Sequence, residues 1–274
     1  MSAGAMLLRK AWAFFQRDLL TESSYKFGFL LDVVIAVAPV LTFFFIGKMI
    51  PANSTESLRQ YGGAYFPFAM VGVALSQYFA LSLNAFANAI RRTQMAGCLE
   101  ATLSTRTRPQ TVIVFSALYS FAMKSVHMVI IFVVSGLLLG VSYRNMDAAS
   151  LVLAMLLTVV AFSGFGILSA AIILILKRGD PIEWVMGTLF SLLGGAFFPI
   201  EVMPQWLQNI AAFLPITHAL HATRLAVLQG HTPLMLWKDF LILLVMACIL
   251  IPMSMAIFAL SVEKGRRDGS LMHY

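Results

Sequence analysis

The sequence predicts an all-α integral membrane protein: six transmembrane helices, an interfacial helix before the first, and a re-entrant two-helix hairpin between the fifth and sixth. Three observations carry this. Of 274 residues, 60% are hydrophobic and 11% charged, with a mean hydropathy of +0.86, whereas soluble domains carry about 25% charged residues. The apolar residues gather into runs of about 20, the length an α-helix needs to cross hydrocarbon. Between two such runs lies Gly194 to Gly230, interrupted by Pro199, Pro204 and Pro215, and each proline removes a backbone donor and stops or kinks a helix.

This composition excludes much. Six spans leave no room for a soluble catalytic domain, so the chain is expected not to be an enzyme and to hold no cofactor. The net charge of +7 is spread between apolar runs without a stripe of interleaved aromatics, which argues against nucleic acid. Cys98 and Cys248 fall on different levels of the membrane, so neither a disulfide nor a thiolate metal site is expected. Arg9, Lys10 and Arg17 run through apolar positions rather than preceding a cleavage site, so no cleaved leader is expected.

In chain order, Leu8, Trp12, Phe15 and Leu19 share one helical face, with Arg9, Lys10, Gln16 and Arg17 elsewhere. That pattern suits a helix lying in the headgroup boundary. The first span is expected over about 27–47, with Asp32 close enough to its start to reach the interface or Lys26, and the second over about 64–90. Next comes RRTQMAGCLEATLSTRTRP, Arg91 to Pro109, where Met95, Leu99 and Leu103 recur at i, i+4, i+8 and Glu100 faces out. The spacing predicts a surface helix over about 91–106, packed on its own chain or docking a soluble partner.

The third span is expected over about 120–143, within an apolar region from Val112 to Tyr143 that contains Lys124 and His127. Either Lys124 snorkels to the headgroups at a break in that region, or Lys124 and His127, three apart on one face, line an internal path. The fourth span is expected over about 151–176, ending at KRGDPIE, where Asp180, Pro181 and Glu183 form a helix-start signal. The fifth follows over about 182–199, the hairpin over about 200–230 and the sixth span over about 240–262.

Within the hairpin, Trp206, Leu207, Ile210, Phe213 and Leu214 mark one amphipathic piece, and Ile216, Leu220 and Val227 a second, opposite Thr217, His221 and Arg224. Glu201 and Arg224 are its only charged residues, and an ion pair between them would hold it closed. The similar strings GGAYFPF and GGAFFPI diverge immediately afterwards, which reads as chance. Counting basic residues in alternate connections gives thirteen on the side of both termini against five opposite, which places the termini and Arg91 to Pro109 in the cytoplasm and the hairpin outside.

No G-x-x-x-x-G-K-[ST] phosphate loop, G-x-S-x-G elbow or H-E-x-x-H motif occurs. His218, His221 and His231 have no acidic or thiolate neighbour in sequence, which argues against metal. The run GGAFFPIEVMPQWLQNIAAFLPITHALHATRLAVLQG resembles the signature of the ABC-2 type transport permeases: a Gly-Phe-Pro end to the fifth span, a Met-Pro-x-Trp-Leu helix, a Leu-Pro-x-Thr-His-Ala turn and an Arg before a short apolar run to Gly. AGCLEATLSTRTRP is similar to that family's coupling region at Gly97, Leu99, Glu100, Leu103 and Ser104, departing at Cys98 and Thr102 and in its late Pro109.

The resemblance implies the permease subunit of an ATP-driven exporter in the inner (plasma) membrane of a bacterial cell, acting with a second copy of itself and two ATP-binding cassette subunits that carry ATP and Mg. It implies docking of those subunits through Arg92, Met95, Gly97, Leu99, Glu100, Leu103 and Ser104, and through the N-terminal helix at Arg9, Trp12, Phe15 and Arg17. It implies an outer gate at Phe198, Pro199, Glu201, Pro204, Trp206, Pro215, His218 and Arg224. The implied cargo is amphipathic or lipid-linked, with glycans favoured over drugs or lipids; the rival class is a non-ABC carrier or scaffold.

Overall fold

The computed structural model describes residues 9, 11–17, 19–20, 26–51, 56–95, 109–176 and 181–267. Among them the regular elements are helices: α1 (Lys26–Met49), α2 (Glu56–Arg59), α3 (Tyr65–Met95), α4 (Pro109–Leu137), α5 (Ala148–Leu176), α6 (Pro181–Leu193), α7 (Gln205–Ala212), α8 (Pro215–Arg224) and α9 (Trp237–Arg267). Five of these, α1, α3, α4, α5 and α9, are long and apolar enough to cross a membrane.

Two expected spans come out differently. The third is one unbroken helix whose apolar part is Ala117–Leu137, with no break at Lys124. It stops before Tyr143 because Gly140, at φ +75, reverses the chain and the Val141 amide returns to the Ser135 carbonyl. The fifth expected span, about 182–199, is not a continuous helix: α6 has 13 residues, a rise of about 20 Å against the ~30 Å hydrocarbon core. Gly195, at φ +76, ends it.

Helix α3 forms the centre. Its apolar window is 72% buried, against 11% for α1, which leaves α1 a peripheral helix with most of its surface facing outward. α5 packs on α3, α9 on α5, and α4 on α3, while α8 sits among α5, α9 and α3. Small residues permit these approaches. A Cβ at Gly166 would lie 2.0 Å from the Ser82 carbonyl oxygen of α3, and one at Gly164 would lie 2.7 Å from Leu250 Cβ of α9. Aromatic rings fill the space between: Phe79 meets Phe162 at 4.6 Å and stacks on Phe190 at 5.5 Å, tying α3 to α5 and α6.

Several polar side chains of the bundle find backbone partners. Gln77 donates to the Ala36 carbonyl at 2.9 Å, tying α3 to α1. Asp147 caps α5 by accepting from the Ser150 amide at 2.7 Å, and hydrogen bonding from the Ser150 side chain and then its amide holds the carboxyl below the usual value. The helical residues 11–17 attach to the start of α4: Phe14 lies against Phe115 at 6.2 Å and Phe15 against Tyr119 at 5.5 Å, with Trp12 and Arg9 exposed.

Because Gly166 sits against backbone, Gly166→Ala is expected to force α3 and α5 apart at a cost of about 1–3 kcal/mol. The apparent melting temperature of the purified protein should fall. Gly187→Ala, at a position with open space around it, should leave it unchanged.

Candidate functional site at the broken segment

The chain after α6 is turned by its glycines and prolines. A Cβ at Gly194 would lie 2.2 Å from Ile216 Cγ2, so only glycine lets α8 approach there. Extended Pro199 leads into a 3-10 turn, Ile200–Val202, Pro204 precedes α7, and Pro215 starts α8, where its missing N–H costs nothing. α7 and the segment Pro215–Gln229 meet at 88°. α8 runs on as a π-helical stretch, Leu225–Gln229, closed by Gly230 at φ +70. Trp206, Ile210 and Phe213 are exposed, so the apolar side of α7 faces away from the protein.

The two strings GGAYFPF and GGAFFPI meet here, Tyr65 donating to the Phe197 carbonyl at 3.0 Å. Beside them lies Arg224, only 3% exposed. Its Nη2 donates to the Ala196 carbonyl at 2.8 Å and its Nε to the Phe68 carbonyl at 3.2 Å. The guanidinium carbon stands 3.5 Å from the Phe68 ring centroid and 5.7 Å from that of Tyr61. Gly72 makes this possible, since a Cβ there would lie 1.7 Å from the Ala196 oxygen and 2.9 Å from Arg224 Nη2.

The expected Glu201–Arg224 ion pair does not form. Glu201 is exposed and accepts from Gln60 Nε2 at 3.0 Å, while two arms of the Arg224 fork are already held by carbonyls of the bundle. Both residues instead line one cavity of about 320 Å³, together with Tyr61, Pro199, Gln208, Thr217, His218, His221 and Asp239. Burial pushes the Tyr61 phenol up to about 12 against the pull of Arg224, so the phenol is neutral at ordinary pH.

Across the cavity α8 is fastened to α9. His218 Nδ1 lies 3.0 Å from Asp239 Oδ1 and His221 Nδ1 lies 2.8 Å from Oδ2. The second nitrogen of His218, Nε2, lies 3.0 Å from the Ala212 carbonyl at the end of α7. Asp239 was invisible as a partner in sequence because it stands 21 and 18 residues beyond the two histidines. The available signal was an acid in the first turn of an apolar span, where a charge is retained only with a partner.

Of the expected gate residues, Pro199, Glu201, His218 and Arg224 meet at the cavity, Pro215 is buried at the head of α8, and Phe198, Pro204 and Trp206 lie on the exposed side. Lys124 and His127 lie on α4 and do not line the cavity; His127 is 5% exposed and its Nδ1 donates to the Met123 carbonyl at 2.8 Å. Arg92 and Met95 fall in the last turns of α3, while Gly97, Leu99, Glu100, Leu103 and Ser104 lie outside the described residues. Among the described residues no three His, Cys, Asp or Glu are placed to hold a metal ion. The arrangement holds helices together around a polar cavity.

Five helices long and apolar enough to cross a membrane, with a sharply broken segment beside them, make this a multi-pass membrane protein. A family model described as ABC-2 type transporter matches residues 9–228, and the chain belongs to that family. No curated protein matches it.

Arg224→Gln is expected to lower stability by roughly 1–3 kcal/mol for each buried carbonyl left without a donor, read from denaturant or thermal unfolding in detergent. Glu201→Gln should change it by less than about 0.5 kcal/mol. Equal losses in the two variants would restore the ion pair.

Proposed function

We propose that this chain is the permease subunit of an ATP-driven exporter, and the family match over residues 9–228 carries that proposal. The chain crosses the membrane six times, α6 and the turn after it forming a short fifth crossing and α7 with α8 a re-entrant hairpin. The excess of basic residues on one side, thirteen against five, supports cytoplasmic termini and an outward hairpin. The membrane is the cell inner membrane of a bacterium.

Two copies of the chain enclose the path, and two ATP-binding cassette subunits, which bind the ATP and Mg, dock on Arg91 to Pro109 and on the N-terminal helix. Their closure on ATP moves the docked segments as rigid bodies. The attachment of Phe14 and Phe15 to α4 passes that movement to the bundle, because α4 packs directly on α3. The hairpin shuts the exit at rest, held by Arg224 and the His218–Asp239–His221 contacts. The cargo is amphipathic or lipid-linked, a glycan-bearing molecule before a drug or a simple lipid.

The test is co-purification from native membranes. An ATPase should be recovered with the wild-type chain, and Leu99→Ala with Glu100→Ala should reduce the recovered ATPase activity at least tenfold, a loss of about 1.4 kcal/mol in binding, without changing the amount of folded permease. Recovery of no ATPase would sink the exporter proposal in favour of a scaffold or an unrelated carrier.

A further inference from the structure

His218 reaches two acceptors at once. The Ala212 carbonyl oxygen, 3.0 Å from Nε2, can only accept, so Nε2 carries a hydrogen. The 3.0 Å contact from Nδ1 to Asp239 Oδ1 needs a second hydrogen between those atoms, and the 2.8 Å contact from His221 Nδ1 to Oδ2 needs a third. Two neutral imidazoles and an ionised carboxylate supply two. We infer that the docked His218–Asp239–His221 cluster holds one proton more than its separated groups hold at neutral pH, making the α8–α9 contact a proton-operated latch on the broken segment.

The surroundings leave this count intact. α8 itself adds Arg224, a cation already held by carbonyls. The 3-10 turn adds Glu201 on the cavity wall, which favours the extra proton. The turn before α3 adds Tyr61, whose ring lies 6.2 Å from that of His221 and whose phenol stays neutral. α3 adds Tyr65 and α9 adds the exposed Lys238, while α5 and α7 contain no ionisable side chain.

The sign follows from the proton count. The docked form binds the additional proton, so docking is fully supported below the ordinary imidazole value of about 6.5 and is lost as the pH rises above it. Within that window the docked-to-undocked ratio falls by up to about tenfold per pH unit for one proton released. Control of export by this latch rests on the hairpin being the exit gate; the proton count does not.

Spin labels at Phe213→Cys and Leu234→Cys, both exposed positions, in a full-length Cys98→Ser, Cys248→Ser background, report the separation of the α7–α8 corner from the turn before α9. Pulsed electron resonance distances would be taken in lipid nanodiscs from about pH 5 to 8.5, around the range in which histidine changes charge. A single docked distance at low pH should give way to a second population as pH rises. That dependence should vanish in Asp239→Asn, whose amide supplies the missing hydrogen, and in His218→Gln. It should persist in His221→Gln, since His218 alone still demands the additional proton.

A wild-type distribution that does not move with pH, or an Asp239→Asn response equal to wild type, overturns the latch. Distances that shift with pH while export into vesicles does not would keep the latch and remove the gate assignment.

Discussion

Burying the Arg224 guanidinium without a carboxylate in contact is the constraint around which the broken segment is built. Desolvating an ion of this size costs several kcal/mol. Two hydrogen bonds to a charged group return roughly 1.5–3 kcal/mol each, and a desolvated cation–π contact about 2 more. The balance closes only if the Ala196 and Phe68 carbonyls and the Phe68 ring are all in place. These groups come from two parts of the chain, Ala196 after α6 and Phe68 in α3, so one side chain fixes the turn after α6, the start of α3 and the end of α8 relative to one another.

That constraint accounts for neighbouring sequence choices. Gly72 is glycine because the Ala196 oxygen occupies the space a Cβ would take. Gly195 is glycine because the chain reverses there at φ +76. The π-helical stretch after Arg224 is a strained form of helix that occurs mostly at functional positions, and here it lets Ala226 accept from the Asp147 amide at 3.0 Å. The segment is thereby joined to the cap of α5 as well as to α3.

Much of this was legible in the sequence, for physical reasons. The apolar runs showed an integral membrane bundle, and three prolines showed that Gly194 to Gly230 could not be one helix. What escaped was pairing across distance. Arg224 and Glu201 looked like partners because they are the only charges of their stretch, yet backbone carbonyls, which leave no mark in a sequence, took Arg224 instead. Asp239 belonged by pattern to the last span and joined the site only through the fold. The third span was misjudged at Lys124, since one lysine in an otherwise apolar helix does not interrupt it, whereas Gly140 turns the chain just beyond its end.

The central claim is that Arg224 locks the broken segment into the bundle. Amide hydrogen exchange of residues 215–229, compared with the centre of α3 in the same nanodisc sample, tests it most directly. The account predicts protection in 215–229 within about an order of magnitude of α3, as expected of segments that open together, and its loss in Arg224→Met while α3 stays protected. Exchange in the wild type as fast as in the exposed turn before α9 would contradict it.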